Sequence, residues 1–113
     1  METEWHNELP FAITVCDKEG KVVYMNDKSI DTFSKYGGKK IIGNNLGDCH
    51  PEPAKSLLME MLKNPVLNAY TIEKNGIKKL IYQSPWYKNG EYSGYIELSL
   101  VIPNEMKHFI RQG

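Results

Sequence analysis

The chain has 113 residues, 41% of them hydrophobic and 25% charged, proportions that are typical of one soluble globular domain. Its 14 basic and 14 acidic residues cancel, which excludes nucleic acid as the main partner because such binders need a basic surface. The sequence shows no signal-peptide pattern and no apolar run near the ~18 residues that cross a bilayer. We therefore expect a cytoplasmic protein without a membrane segment.

The first third of the chain predicts a short helix and a β-hairpin. Trp5 and Leu9 would share one face of a lead-in helix over residues 1–9. Residues 12–16 and 21–25 are rich in Val, Ile, Thr and Tyr, and the short link between them contains Asp and Gly. This pattern indicates two antiparallel strands joined by a tight turn.

The middle third predicts two helices and an irregular connection. Asn26 is a suitable N-cap for a helix over residues 27–36. Residues 39–53 contain too many Gly, Asn and Pro residues for a helix, so we expect short turns there. The clearest helical pattern covers residues 51–64, whose apolar stripe is formed by Leu57, Leu58, Met61 and Leu62.

The last third predicts three strands in a meander. Residues 68–74 and 77–85 are separated by Asn-Gly, the strongest two-residue hairpin signal. A second Asn-Gly pair precedes the strand over residues 94–102. A closing helix is then predicted over residues 104–112.

These elements predict an α+β fold in a single domain over residues 1–113, with its core at about 9–102. Two initial and three final strands must share one sheet, because an isolated hairpin is barely stable. We expect a five-stranded antiparallel sheet with helices covering one face, and a pocket between the long helix and the sheet. Cys16 and Cys49 lack CxxC spacing, so no disulfide framework or zinc site is expected.

Three segments of this sequence, in this order, resemble the PAS domain family of bacterial-type sensory modules. The opening hairpin PFAITVCDKEGKVVYMN is similar to the family's strand, Asp-x-x-Gly turn, second strand and Asn. IIGNNLGDCHPE resembles its short-helix connector, and QSPWYKNGEYSGYIELSLVIP resembles its closing meander. The resemblance covers residues 9–102, nearly the whole chain.

The resemblance implies a regulatory domain that binds a small ligand or cofactor between the long helix and the sheet and signals through protein–protein contacts. Two alternatives remain open: a ligand-free interaction or dimerisation module, and a haem-binding sensor. The closing segment departs from the family, because Val101-Ile102-Pro103 stands where Asp-Ile-Thr commonly leads into a signalling helix. The chain is then either an excised module that served an output domain or a stand-alone protein that acts through non-covalent signalling partners.

The pocket implied by the resemblance would be mainly apolar, with Tyr82 and Ser84 as its polar groups. A solid core without ligand is the alternative at the same positions, because Leu and Met at helical spacing commonly form core. The candidate lining residues are Phe33, Ile42, Leu46, Leu57, Leu58, Met61, Tyr82, Ser84 and Tyr95.

Haem is the one metal cofactor that the resemblance supports. His50 stands at the entry of the long helix, where haem sensors of the family place an axial ligand. The alternative is a partly exposed turn histidine that hydrogen-bonds the backbone. A flavin–thiol photo-adduct is not expected, because Leu46 follows Gly43-Asn44-Asn45 where photosensors of the family carry the reactive Cys.

The sequence carries no hydrolase, phosphate-binding, dinucleotide-binding or zinc-protease motif, so we do not expect an enzyme. Glu73 and Glu97 could be neighbours across the sheet, and we interpret them as surface salt-bridge partners. We expect a homodimer with one self-complementary apolar patch. The residues predicted for this patch are Trp5, Leu9, Trp86, Met106, Phe109 and Ile110.

Overall fold

All five predicted strands form one antiparallel sheet in the computed structural model, which describes residues 4–113 and, for Cys49, the backbone alone. The strand order is β2-β1-β5-β4-β3, so the two ends of the domain meet at the centre of the sheet. The strands are β1 (Ala12–Asp17), β2 (Val22–Met25), β3 (Asn68–Lys74), β4 (Ile77–Lys88) and β5 (Glu91–Ile102). The fold-class prediction is confirmed.

The helices are shorter than their sequence patterns predict. Helix α1 (Asp27–Thr32) starts where expected, because the Asn26 side chain accepts the backbone N–H of Ser29 at 3.1 Å. It ends before Gly37, whose φ of 117° supports a switch into tight turns. Helix α2 (Ala54–Lys63) begins only after the prolines of the connector. Three short 3₁₀ helices lie between them: Ser34–Tyr36, Gly38–Ile41 and Leu46–Cys49.

The last two strands are longer than predicted. Strand β4 continues past Pro85 to Lys88, although proline usually ends a strand. Pairing between β3 and β4 stops at Gln83, so β4 has no partner on its β3 side at Pro85. Proline has no backbone N–H to donate, and on this side no hydrogen bond of the sheet is lost. A one-residue bulge then shifts the β4–β5 register between Trp86 and Tyr87.

The two terminal helices are absent from the described chain, so those predictions are wrong. Residues 5–8 form a turn in which the N–H of Asn7 donates to the carbonyl of Glu4 at 3.1 Å, and residues 1–3 lie outside the described part. Residues 104–112 form no helix, and Phe109 and Ile110 are exposed. Helices this short are marginal without tertiary packing, and Phe109 and Ile110 lie outside the hydrophobic core of the described residues.

The hydrophobic core lies between the helices and one face of the sheet, which we call the inner face. Its buried residues are Cys16, Val22, Met25, Ile41, Leu46, Leu58, Met61, Leu62 and Tyr95. The fully buried Asn26 joins α1 to β1, since its Oδ1 also accepts the N–H of Ile13 at 2.9 Å. No helix among residues 4–113 is long and apolar enough to cross a membrane.

The opposite face of the sheet, the outer face, is also apolar. Strand alternation places Leu80 and Tyr82 of β4 there beside Ile96, Leu98 and Leu100 of β5. The helices lie on the other side of the sheet, and these five side chains are partly exposed.

Candidate functional site

A cleft opens between α2 and the inner face of the sheet. It consists of two adjacent cavities, of about 330 Å³ and about 180 Å³, which share His50 and Tyr70 as lining residues. The larger cavity lies against α2, where Leu58 and Met61 line it. Its volume falls at the lower end of the range for small-molecule sites, about 300–1,000 Å³.

A row of polar side chains crosses the sheet at the floor of this cleft. The register aligns Asn68 of β3 with Gln83 of β4, then Glu97 of β5, then Thr14 of β1. Gln83 and Glu97 are 6% and 9% exposed. Polar groups at this depth cost free energy unless they have partners, so such a row on a core-facing surface requires an explanation.

The amide and carboxyl groups of this row are bonded to one another. The Asn68 side chain donates to Gln83 Oε1 at 2.9 Å, and Gln83 Nε2 donates to Glu97 Oε2 at 2.6 Å. Thr14 bonds instead to the buried hydroxyl of Ser29 in α1. The chain of bonds fixes the Glu97 carboxylate against the smaller cavity, which it lines.

Three rings line the smaller cavity together with Glu97: Phe33, His50 and Tyr70. The rings of Phe33 and His50 lie 6.1 Å apart between centroids. Burial raises the pKa of Tyr70, and the nearby negative charge of Glu97 raises it further.

The ring of His50 is oriented by the backbone. Its Nδ1 lies 3.0 Å from the carbonyl oxygen of Leu46. Because a carbonyl only accepts, Nδ1 carries the proton in this bond, and the Nε2 of the neutral ring keeps its lone pair.

Comparison with protein families decides the identity of this fold. A family model described as the PAS fold matches residues 6–65. The chain belongs to the PAS family. The sequence-based prediction of this family is confirmed, and a search of curated proteins finds no match to this chain.

Solved PAS domains share its fold at low sequence identity. The PAS domain of BvgS from Bordetella pertussis is 22% identical, with a TM-score of 0.64 over 87% of this chain and 81% of that one. The PAS domain of the histidine kinase ThkA is 21% identical, with a TM-score of 0.63 over 80% and 97%. The Aer2 receptor from Vibrio cholerae, a dual PAS-heme oxygen sensor, is 19% identical, with a TM-score of 0.58 over 82% and 95%.

Several predicted pocket residues do border the cleft of this PAS domain. Leu57, Leu58 and Met61 line the larger cavity, Leu57 at its rim with 63% of its surface exposed, and Phe33 lines the smaller one. His50 lines both.

Five predicted residues lie elsewhere. Leu46 and Tyr95 are buried in the core, where the Tyr95 hydroxyl donates to the carbonyl of Met61 at 3.0 Å. Ile42 is exposed on the connector and lines neither cavity. Tyr82 and Ser84 are on the outer face, because the inner face of β4 presents Gln83 between them.

The sequence interpretation missed the polar row altogether. Glu97 is buried in the cleft and is not a surface residue of the sheet. The Asn-Gly turn between β4 and β5 could have indicated which residues of the two strands lie opposite each other. The bulge, however, shifts this register by one residue. Without the bulge, a count from the turn would pair Gln83 with Ile96 and hide the contact with Glu97.

The residues of the cleft fit haem only in part. The Nε2 of His50 could act as an axial ligand of the iron. A porphyrin requires a continuous apolar slot, whereas Gln83 and Glu97 present an amide and a carboxylate to the cleft.

Proposed function

We propose that this PAS domain is a sensory module that binds a small molecule in the cleft and signals through contacts with protein partners, without catalysing a reaction. The observation that supports the proposal is the buried polar row on the floor of the cleft. An inner face that served only packing would be apolar, because each buried polar group costs desolvation free energy. Small-molecule sites combine apolar walls with a few fixed polar groups, as this cleft does.

A substitution that fills the larger cavity tests this proposal. Ala54 lines that cavity at the start of α2, so Ala54→Phe should occupy space that a ligand needs. We expect a compound screen by thermal shift to find molecules that stabilise the parent protein and do not stabilise this variant. Ala69→Phe is the matched control, because Ala69 is exposed on edge strand β3.

The ligand-free interaction module is the competing function. It would be favoured if no compound stabilised the parent protein, or if Ala54→Phe left every stabilisation unchanged. Either result would contradict ligand sensing in the cleft.

We propose that the signal leaves through the outer face, and that a homodimer uses the same face. Leu98 lies at its centre, paired with Ile13 on one side and Tyr82 on the other. Of the residues predicted for the dimer patch, Trp5 and Phe109 are exposed, whereas the Trp86 indole N–H donates to the carbonyl of Cys16 at 3.0 Å. A partly exposed apolar face is typical of an association surface.

Sedimentation over a concentration series tests the dimer. We expect the parent protein to exceed the 13.0 kDa monomer mass and Leu98→Arg to reduce the association. Val101→Arg is the control, because Val101 is exposed and lies on the inner side of the β5 alternation. A species that stays at the monomer mass at all concentrations, in the parent and in Trp5→Ala and Phe109→Ala, would contradict the dimer.

Haem sensing is the second candidate, favoured by the oriented ring of His50. Haem would supply an iron centre for binding a gas or for redox sensing. In reconstitution with haem, His50→Ala should then abolish or shift the Soret band and leave the far-UV circular dichroism unchanged. His108→Ala is the matched control, since His108 is exposed in the tail. Equal reconstitution of both variants would remove His50 from this role.

A further inference from the structure

The Glu97 carboxylate is the most deeply placed charged group of the cleft. It is 9% exposed, and among the described residues the Gln83 amide donates to Oε2 while Oε1 has no donor. The Gln83 side chain also accepts a hydrogen bond from Asn68, so its amide cannot rotate toward Oε1 of Glu97 without breaking that bond. Oε1 is therefore left for a partner in the cavity that Glu97 lines.

Within residues 4–113, the hydrogen bond to this carboxylate comes from Gln83 and not from a basic side chain. Lys79 lines the same cavity, but it lies four residues from Gln83 along β4, with Ile81 between them on the inner face. At ~3.3 Å per residue, this separation is roughly 13 Å along the strand. Among the described residues no buried side-chain oxygen lacks a partner, so the unbonded Oε1 must be accessible from the cavity. A largely buried carboxylate without a counter-charge favours a cation beside it.

The walls of the smaller cavity provide the second feature. Phe33 and Tyr70 line it on the helix side and the sheet side, and His50 completes the set of rings. The face of an aromatic ring carries partial negative charge and attracts cations, also at a partly exposed ring such as Tyr70. A ring-lined cavity with one carboxylate favours a cation that also has apolar surface.

We propose that the cleft recognises an alkylammonium group, with the Glu97 carboxylate as counter-charge and the rings of Phe33 and Tyr70 as its walls. This inference rests on the proposed sensory function and specifies the class of ligand. The ammonium group would occupy the cavity of about 180 Å³, and the rest of the molecule would extend past His50 into the cavity of about 330 Å³ or toward Lys79. A ligand with only negative charge is disfavoured, because it would meet Glu97.

Isothermal titration calorimetry with three probes tests this class directly. Choline carries a quaternary ammonium group, betaine adds a carboxylate that could reach Lys79, and 3,3-dimethylbutan-1-ol is the neutral carbon isostere of choline. We expect choline or betaine to bind at least about tenfold more tightly than the neutral isostere. Stronger binding of betaine would indicate that its carboxylate contacts Lys79, and stronger binding of choline would indicate that Glu97 repels that carboxylate.

Two variants assign the effect to the named groups. Glu97→Gln keeps an acceptor for Gln83 but removes the charge, so the preference for ammonium over the isostere should fall by about tenfold or more. Glu91→Gln is the matched control at the exposed start of β5. Tyr70→Leu keeps bulk but removes the ring, and it should weaken the ammonium probes several-fold while leaving the isostere unchanged. It also serves as the test if Glu97→Gln does not fold.

The outcomes separate this inference from the proposed function. Equal binding of choline and its isostere, no binding of either ammonium probe, or an unchanged preference in Glu97→Gln and Tyr70→Leu would overturn ammonium recognition. If a neutral or anionic compound then binds and Ala54→Phe blocks it, ligand sensing stands and only the ligand class is wrong. If no compound binds, both fail.

Discussion

Two adjacent leucines of α2 provide the sharpest test of how this helix packs. Leu58 is 4% exposed in the core, whereas its neighbour Leu57 is 63% exposed at the rim of the cleft. Replacing Leu58 with Ala removes three buried carbon atoms, a loss of about 2 kcal/mol at ~0.8 kcal/mol for each. A cavity term adds to this loss, but the vacated space opens toward the larger cavity that Leu58 lines.

We therefore expect Leu58→Ala to reduce the free energy of unfolding by about 2–4 kcal/mol, and Leu57→Ala by less than ~0.5 kcal/mol. At roughly 4 °C per kcal/mol, the first variant should melt about 8–16 °C below the parent. Urea unfolding followed by circular dichroism gives both values on one scale. Equal losses at the two positions, or a larger loss at Leu57, would show that α2 is rotated relative to the orientation described above.

Three other changes test separate features of the structure. Gly94→Ala should prevent stable folding or reduce the free energy of unfolding by more than ~3 kcal/mol, because the added Cβ would overlap the backbone carbonyl of Cys16. A soluble variant with the parent's melting temperature would contradict this. Asn26→Ala should reduce the free energy of unfolding in urea by about 2–4 kcal/mol, since it leaves two buried backbone N–H groups without an acceptor. A reduction below ~1 kcal/mol would indicate that water accepts these hydrogen bonds instead. Burial raises the pKa of Tyr92 to about 12, so the folded state favours the protonated phenol and stability should fall as pH rises from about 10 to about 12. Tyr92→Phe should make that fall shallower in pH-dependent melts, whereas the exposed control Tyr36→Phe should leave the slope close to that of the parent.

Local chemistry explains why so much of the sheet could be predicted. The strands combine β-branched and aromatic residues with two Asn-Gly turns, and both asparagines adopt the positive φ that these turns require, 53° at Asn75 and 52° at Asn89. The terminal helices could not be excluded in the same way. Their apolar spacing is helical, but a short helix depends on a packing partner that a local pattern does not reveal.

The polar floor of the cleft could not be predicted from the sequence, because the apolar residues of β5 are not on the face that packs against the helices. Along β5, Ile96, Leu98 and Leu100 alternate with Glu97 and Ser99, and such a pattern normally assigns the apolar set to the core. In this fold the apolar set forms the outer face, and the polar set faces the helices. The usual assignment fails for β5 because its apolar side chains are not on the face that the helices cover.

The central position of β1 and β5 has a consequence for the folding of this domain. Their ladder joins Ala12 to Ser99 and Asp17 to Gly94, so its contacts are separated by most of the chain. High contact order slows folding, because loop-closure entropy must be overcome before these contacts form. On the ribosome, Thr14 and Glu97 can meet only after the last strand has emerged. A nascent or truncated chain without β5 would therefore lack the floor of the cleft, and ligand recognition would be confined to the completed fold.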